Sequence, residues 1–186
     1  MNEIEIIRSQ LAAEQSHAGE IANACAAVFG ASAGPSMADE AAALLREACV
    51  SYLVWVLTRF EERDQTLSEL LAARESANGA DAAAARQLGA LIRRPGGSRE
   101  ALAHLESTLS SAEADGTRSR WQEFARFFNS VWASRRSALE RALVEHLSVA
   151  DWRAVGAIDA DSILDERRRY ARVVAELPAG MELPRR

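Results

Sequence analysis

Lysine is absent from this chain, and all 22 of its basic residues are arginine. The formal net charge is -5, so the excess of basic surface that a phosphate backbone demands is missing, and a nucleic-acid partner is not expected. Cysteine is scarce. The two present, Cys25 and Cys49, lie among apolar residues, too few for a disulfide framework, and they read as buried free thiols. Long apolar runs are missing too: the longest, Cys49 to Leu57, is broken by Ser51 and falls well short of the ~20 residues that span a bilayer. The opening MNEIEIIRSQ is acidic and then amphipathic, unlike a secretory leader. A cytoplasmic protein without a membrane partner is therefore expected. No strand-like alternation occurs, and hence no strand-borne glycine-rich phosphate loop. Serine-hydrolase, Cys-x-x-Cys and zinc-finger spacings are absent. The acids of DADSILDERRRY lack the turn glycine and twelfth-position acid of an EF-hand. The missing lysine and abundant alanine suit codon pressure in a GC-rich bacterial genome.

What is present is helical periodicity. The 186 residues suit one domain, 1–186, with 178–186 expected to be a flexible tail. Over 2–29, Ile4, Ile7, Leu11, Ala18, Ile21, Cys25 and Val28 recur in steps of three and four, a helix seam. GASAGP ends it, and Ser36 then reads as the N-cap of a helix over about 37–76. Around Val50–Leu57 that helix is apolar on nearly every face, which predicts a central position or a second chain over Leu53, Val54 and Trp55; a homodimer is expected. After an alanine-rich helix and a Pro-Gly-Gly break, Ser98 reads as the cap of a short helix to about Asp115, with Leu102, Leu105 and Leu109 inward. Thr117 opens a long helix to about Leu147, on the stripe Trp121, Phe124, Phe128, Val131, Leu139 and Ala142. Ser148 with Asp151 forms a capping-box pattern. Asp161 reads as the cap of the last helix, with Ile163, Leu164, Tyr170, Val173 and Leu177 inward. The fold class is all-α: an antiparallel, up-and-down helical bundle with extra short helices and a C-terminal helix.

One polar cluster interrupts the seams. Glu14 falls on the first stripe midway between Ile7 and Ile21, and a buried carboxylate needs a partner or a metal. The expected partner is the Tyr52 hydroxyl or an arginine of the second or fourth helix. His17 follows one turn on, and Glu-x-x-His on an inward face is half of what a di-iron bundle uses. Neither His104 nor His146 has an acid three residues earlier, so the second half is missing. Arg59, Arg63, Arg136 and Glu140 lie near the other seams, and arginine pairs with acids where histidine would ligate metal. The buried cluster expected is thus Glu14, His17, Tyr52, Arg59, Arg63, Arg136 and Glu140. Glu14, His17 and Glu140 are the metal candidates of the alternative reading.

VWVLTRFEERDQTLSELL (54–71) and ASRRSALERALVEHLSVADW (133–152) resemble the second and third helices of the hemerythrin-like four-helix domains. In the latter the turn ends in Asp151 and Trp152. LAAEQSHAGEI (11–21) is similar to their first helix, with His17 matching its histidine. Arg59 and Arg63 stand where that family has a His and a Glu, and Arg136 replaces a further His, while Glu140 is kept. The resemblance implies a bundle without an intact di-iron site, no cofactor, and a non-enzymatic interaction or regulatory role, with an unknown protein as a possible partner. The alternative is a metal- or small-ligand-binding bundle of the oxygen- or iron-sensing or oxidase type, with di-iron as its cofactor.

Overall fold

In the computed structural model, residues 2–30, 39–76, 82–110 and 114–183 are described. Eight α-helices and one π turn make up the described residues: α1 (Glu3–Phe29), α2 (Asp39–Ser76), α3 (Ala82–Ile92), α4 (Ser98–Leu109), α5 (Ala114–Phe127), the π turn (Phe128–Trp132), α6 (Ala133–Val144), α7 (Val149–Gly156) and α8 (Ala160–Ala175). No strand occurs among them.

Helix α1 starts at a capping box in which the Asn2 side chain accepts from Glu5 N–H and Glu5 accepts from Asn2 N–H. Its seam residues Ile7, Leu11, Ala18, Ile21 and Cys25 are buried. Along α1 and α2, Cys25 meets Cys49 and Glu14 meets Arg63, so one number rises as the other falls and the two helices run antiparallel. The same holds for α1 with α5 and the π turn that continues it, where Gln122 donates to the Gly30 carbonyl and Asn129 to Asn23. Helix α2 packs against α1, α3, α4, α7 and α8. By length and composition it could cross a membrane, as can many core helices; here Tyr52, Leu53, Val56, Leu57 and Phe60 are fully covered within the one chain. Trp55 is half-buried beneath Arg169 of α8, while Val54 remains 41% exposed.

The long helix expected from Thr117 begins at Ala114 and runs through α5, the π turn and α6 without a break. The π turn overturns one expectation. Its wider i→i+5 turn adds a residue, so Phe128 and Trp132 both face inward and Val131 is turned out at 43% exposure. Downstream the inward stripe becomes Arg136, Leu139 and Leu143, displacing Ala142 to a partly buried flank. The carbonyls of Ala125 and Arg126 receive the Asn129 amide (2.7 Å) and the Ser130 hydroxyl (2.5 Å), side-chain substitutes for the backbone donor that a π turn moves away.

Other ends differ from expectation as well. Gly97, not Ser98, is the N-cap of α4, because the Ser98 hydroxyl is directed to Asp64 (3.3 Å). Helix α4 ends at Leu109, and Leu109 is exposed. The last helix is capped by Asp159, which forms a box with Ser162, rather than by Asp161, and Leu164, two residues before Glu166 and so on the face opposite the buried Glu166 and Val173, is exposed. The Ser148–Asp151 box opens α7 as read. The Ser36 cap lies outside the described residues. Of the tail, a Pro178–Met181 turn is described and Leu183 is buried against the core. Cys25 and Cys49 are both buried free thiols.

Candidate functional site

Glu14 is completely buried on the α1 seam, and its charge is met from α2. Arg63, itself 2% exposed, donates from Nη1 to Oε2 at 2.5 Å and from Nη2 to Oε1 at 3.3 Å. This is the fork-to-fork geometry in which a guanidinium binds a carboxylate most strongly. The remaining Nε–H of Arg63 donates to the Gly156 carbonyl at 2.9 Å, at the C-terminal end of α7, where the helix dipole favours a cation. Burial lowers the Arg63 pKa and the Glu14 bond opposes that fall. Arg59 donates to the Ala157 carbonyl (3.0 Å) and brings its Nε within 4.0 Å of Glu14. Tyr52 does not bind Glu14. The Cys25–Cys49 pairing puts Glu14 level with Phe60, about two turns beyond Tyr52 and within reach of the long Arg63 side chain one turn further on.

The layer continues across the core. The Arg63 and Arg136 guanidiniums lie over Phe60, at 5.0 and 4.6 Å from its centroid. Arg136 binds Asp64, and Asp64 also takes Arg135 (3.4 Å) and Ser98, whose hydroxyl accepts from Trp132 Nε1 (3.4 Å). Glu140 is 3.9 Å from Arg136. Its Oε1 is buried without a hydrogen-bond partner among the described residues, and desolvation raises its pKa against the pull of Arg136, Arg8 and Arg63.

A second cluster binds α8 to α1 and α2. Glu166, 2% exposed, engages His17 Nδ1 at 2.7 Å and accepts from the Tyr52 hydroxyl at 2.8 Å, both at Oε1. The His17 ring stacks on Tyr170 with centroids 3.9 Å apart, and the Tyr170 hydroxyl donates to Glu20 at 2.7 Å. Burial, followed by the carboxylate beside each, pushes both tyrosine pKa values up, so both phenols stay protonated donors.

Of the residues singled out by sequence, Glu14, Arg59 and Arg63 meet directly and Arg136 with Glu140 stands beside them, while His17 and Tyr52 turn to Glu166. The three metal candidates do not converge. Glu14 is closed by Arg63, His17 is taken by Glu166, and Glu140 sits against Arg136. A di-iron group does not fit these residues, since a guanidinium has no lone pair to give a metal and Arg63 covers both Glu14 oxygens. Among the described residues no three His, Cys, Asp or Glu side chains are grouped to hold a metal ion. Asp64 and Glu166 stand outside the cluster expected from the sequence, Glu166 being counted among the solvated acids of DADSILDERRRY. Glu166 carried the same signal as Glu14, for Glu166, Tyr170, Val173 and Leu177 form a three/four stripe. Comparison of the chain with protein-family models, with curated proteins and with solved structures returns no match.

Proposed function

We propose that this chain is a hemerythrin-like helical bundle in which arginine occupies the former ligand positions, and that it acts as an interaction or regulatory module, self-associating as a homodimer. The observation that supports it is the bidentate Arg63–Glu14 pair. The family would use this level of the bundle for metal, and here a fixed positive charge neutralises the one carboxylate buried on α1. A guanidinium in this place holds α1, α2 and α7 together and leaves no role for a cation. Val54, exposed on the apolar stretch of α2, favours self-association.

The reading is tested by metal analysis of the protein purified without a histidine tag. Substoichiometric iron, manganese and zinc are expected. Stoichiometric iron lost on Glu14→Ala or His17→Ala would overturn it in favour of the metal-binding alternative. Size-exclusion chromatography with light scattering is expected to give twice the chain mass, and a monomer would remove self-association from the proposal.

A further inference from the structure

His17 differs from the other two histidines of the chain in what stands behind its ring. Its Nδ1 is 2.7 Å from Oε1 of Glu166, a buried carboxylate that also accepts from the Tyr52 hydroxyl. A carboxylate has no proton to give. The ring proton therefore sits on Nδ1, and the lone pair of the neutral ring sits on Nε2. Stacking on Tyr170, with centroids 3.9 Å apart, holds the ring in that orientation. The side chain is 29% exposed, and Nε2 is accessible without a hydrogen-bond partner among the described residues. One open nitrogen lone pair is thus oriented and backed by a buried negative charge. His104 and His146 are both exposed, and neither ring has a carboxylate against it among the described residues; His104 lies on Phe127 instead.

A single histidine does not enclose a metal ion. What an oriented imidazole does alone is attack an electrophile that is brought to it. An acyl group on imidazole nitrogen is soon lost to water, whereas a phosphoryl group is kept. The charges nearby leave room for one. Glu20, one turn on, is engaged by Tyr170 at 2.7 Å and by Ser16 at 3.2 Å. Glu14, one turn back, is covered by Arg63. Arg167 follows Glu166 in α8, three residues before Tyr170, and is exposed with no ion pair among the described residues.

We infer that His17 is a phosphoryl-accepting site, modified at Nε2 by a donor with a labile N–P bond, and that Glu166 is its positioning residue. The Nε2 lone pair attacks phosphorus and the Nε2–P bond forms. The P–N bond of the donor breaks, and its electron pair leaves with the donor nitrogen, which is protonated beforehand and departs as a neutral amine. The Nδ1 proton stays where it is, and the positive charge that develops on the ring is met by Glu166. The inference does not depend on the hemerythrin-like reading, and each can fail without the other.

The test is incubation of the full chain with potassium phosphoramidate, followed by intact mass and by fragmentation under conditions that keep acid-labile phosphate. One phosphoryl group at His17 is expected, formed at least about tenfold faster than at His104 or His146. Exposure alone predicts the opposite order. Equal rates at the three rings, faster reaction at the other two, or an unmodified His17 would each overturn the inference. Glu166→Gln keeps an acceptor for Tyr52 and removes the charge. It should slow the reaction of His17 at least about tenfold and leave His104 and His146 as they are; an unchanged rate at His17 would count equally against the inference. Imidazole nitrogen shifts of the parent chain read the tautomer without any substitution. The proton is expected on Nδ1 of His17, and a neutral ring with its proton on Nε2 would refute the assignment.

Discussion

At the scale of single residues, a charge buried with its partner behaves differently from a charge buried alone. Arg63→Ala strands the Glu14 carboxylate and frees the Gly156 carbonyl. The loss should be ~3–5 kcal/mol, read as a fall in urea midpoint at constant m-value. Glu14→Gln with Arg63→Met removes both charges and should recover much of that loss; a double variant as unstable as the single one would refute the account. Glu140 adds a pH dependence. Its carboxyl pKa is raised in the folded chain by burial, so between the ordinary value of about 4.3 and the higher folded value the folded state binds more protons than the unfolded. Stability therefore falls as pH rises through that window. Glu140→Gln should flatten this decline and be the more stable protein at neutral pH, checked by urea unfolding at a series of pH values. The burial of Glu14 was legible in the sequence because a seam is periodic and an acid on it stands out. Its partner was not, because a shift in helix register by about two turns leaves each helix's own pattern unchanged. Glu166 was legible by the same rule and was hidden by the acids around it.

At the scale of elements, the π turn decides which face of α6 enters the core. It holds one more residue than an α turn would. Removing Asn129 should let 114–144 become one regular helix with the downstream phase kept, at a modest cost from the lost bonds to Asn23 and Ala125. Removing Glu123 from within α5 should rotate everything after it by about 100°, turning Arg136 and Leu139 out of the core and unfolding the chain. Circular-dichroism melts of the two deletions compare them directly, and equal losses would count against this reading of the turn. Nothing in the composition of FNSVW marks such a turn, since apolar residues three and four apart fit an α-helix equally well, and so Val131 was read inward. A second element-scale constraint is the close approach of α7 to α1. A Cβ at Gly156 would stand 2.7 Å from Ile7 Cγ2, inside any real contact, so Gly156→Ala should cost ~1–3 kcal/mol in chemical unfolding. Helix ends set by local side-chain boxes, at Ser148 above all, were readable from sequence. The start of α4 was not, because Ser98 is drawn from capping by Asp64, a residue far away in the chain.

At the scale of the molecule, α8 follows the other helices in the chain and yet is built into the interior. It supplies Glu166 to His17 and Tyr52, buries Val173 completely and sets Arg169 against Trp55 and Ser51. Two changes separate its polar from its apolar contribution. Glu166→Ala leaves α8 in place over Tyr52 and deprives two donors of their acceptor, which should cost ~1–3 kcal/mol without altering the surface. Ending the chain after Ile158 removes the helix, so water satisfies His17 and Tyr52 and the loss is instead the apolar cover of α2. Trp121, Trp132 and Trp152 are buried against other helices, which leaves Trp55 as the indole whose surroundings change. The shortened chain should therefore show a red shift in tryptophan emission and a gain in binding of a hydrophobic dye, while Glu166→Ala shows neither. If the shortened chain keeps both the emission and the midpoint of the full one, α8 is an appended arm and the core is complete without it.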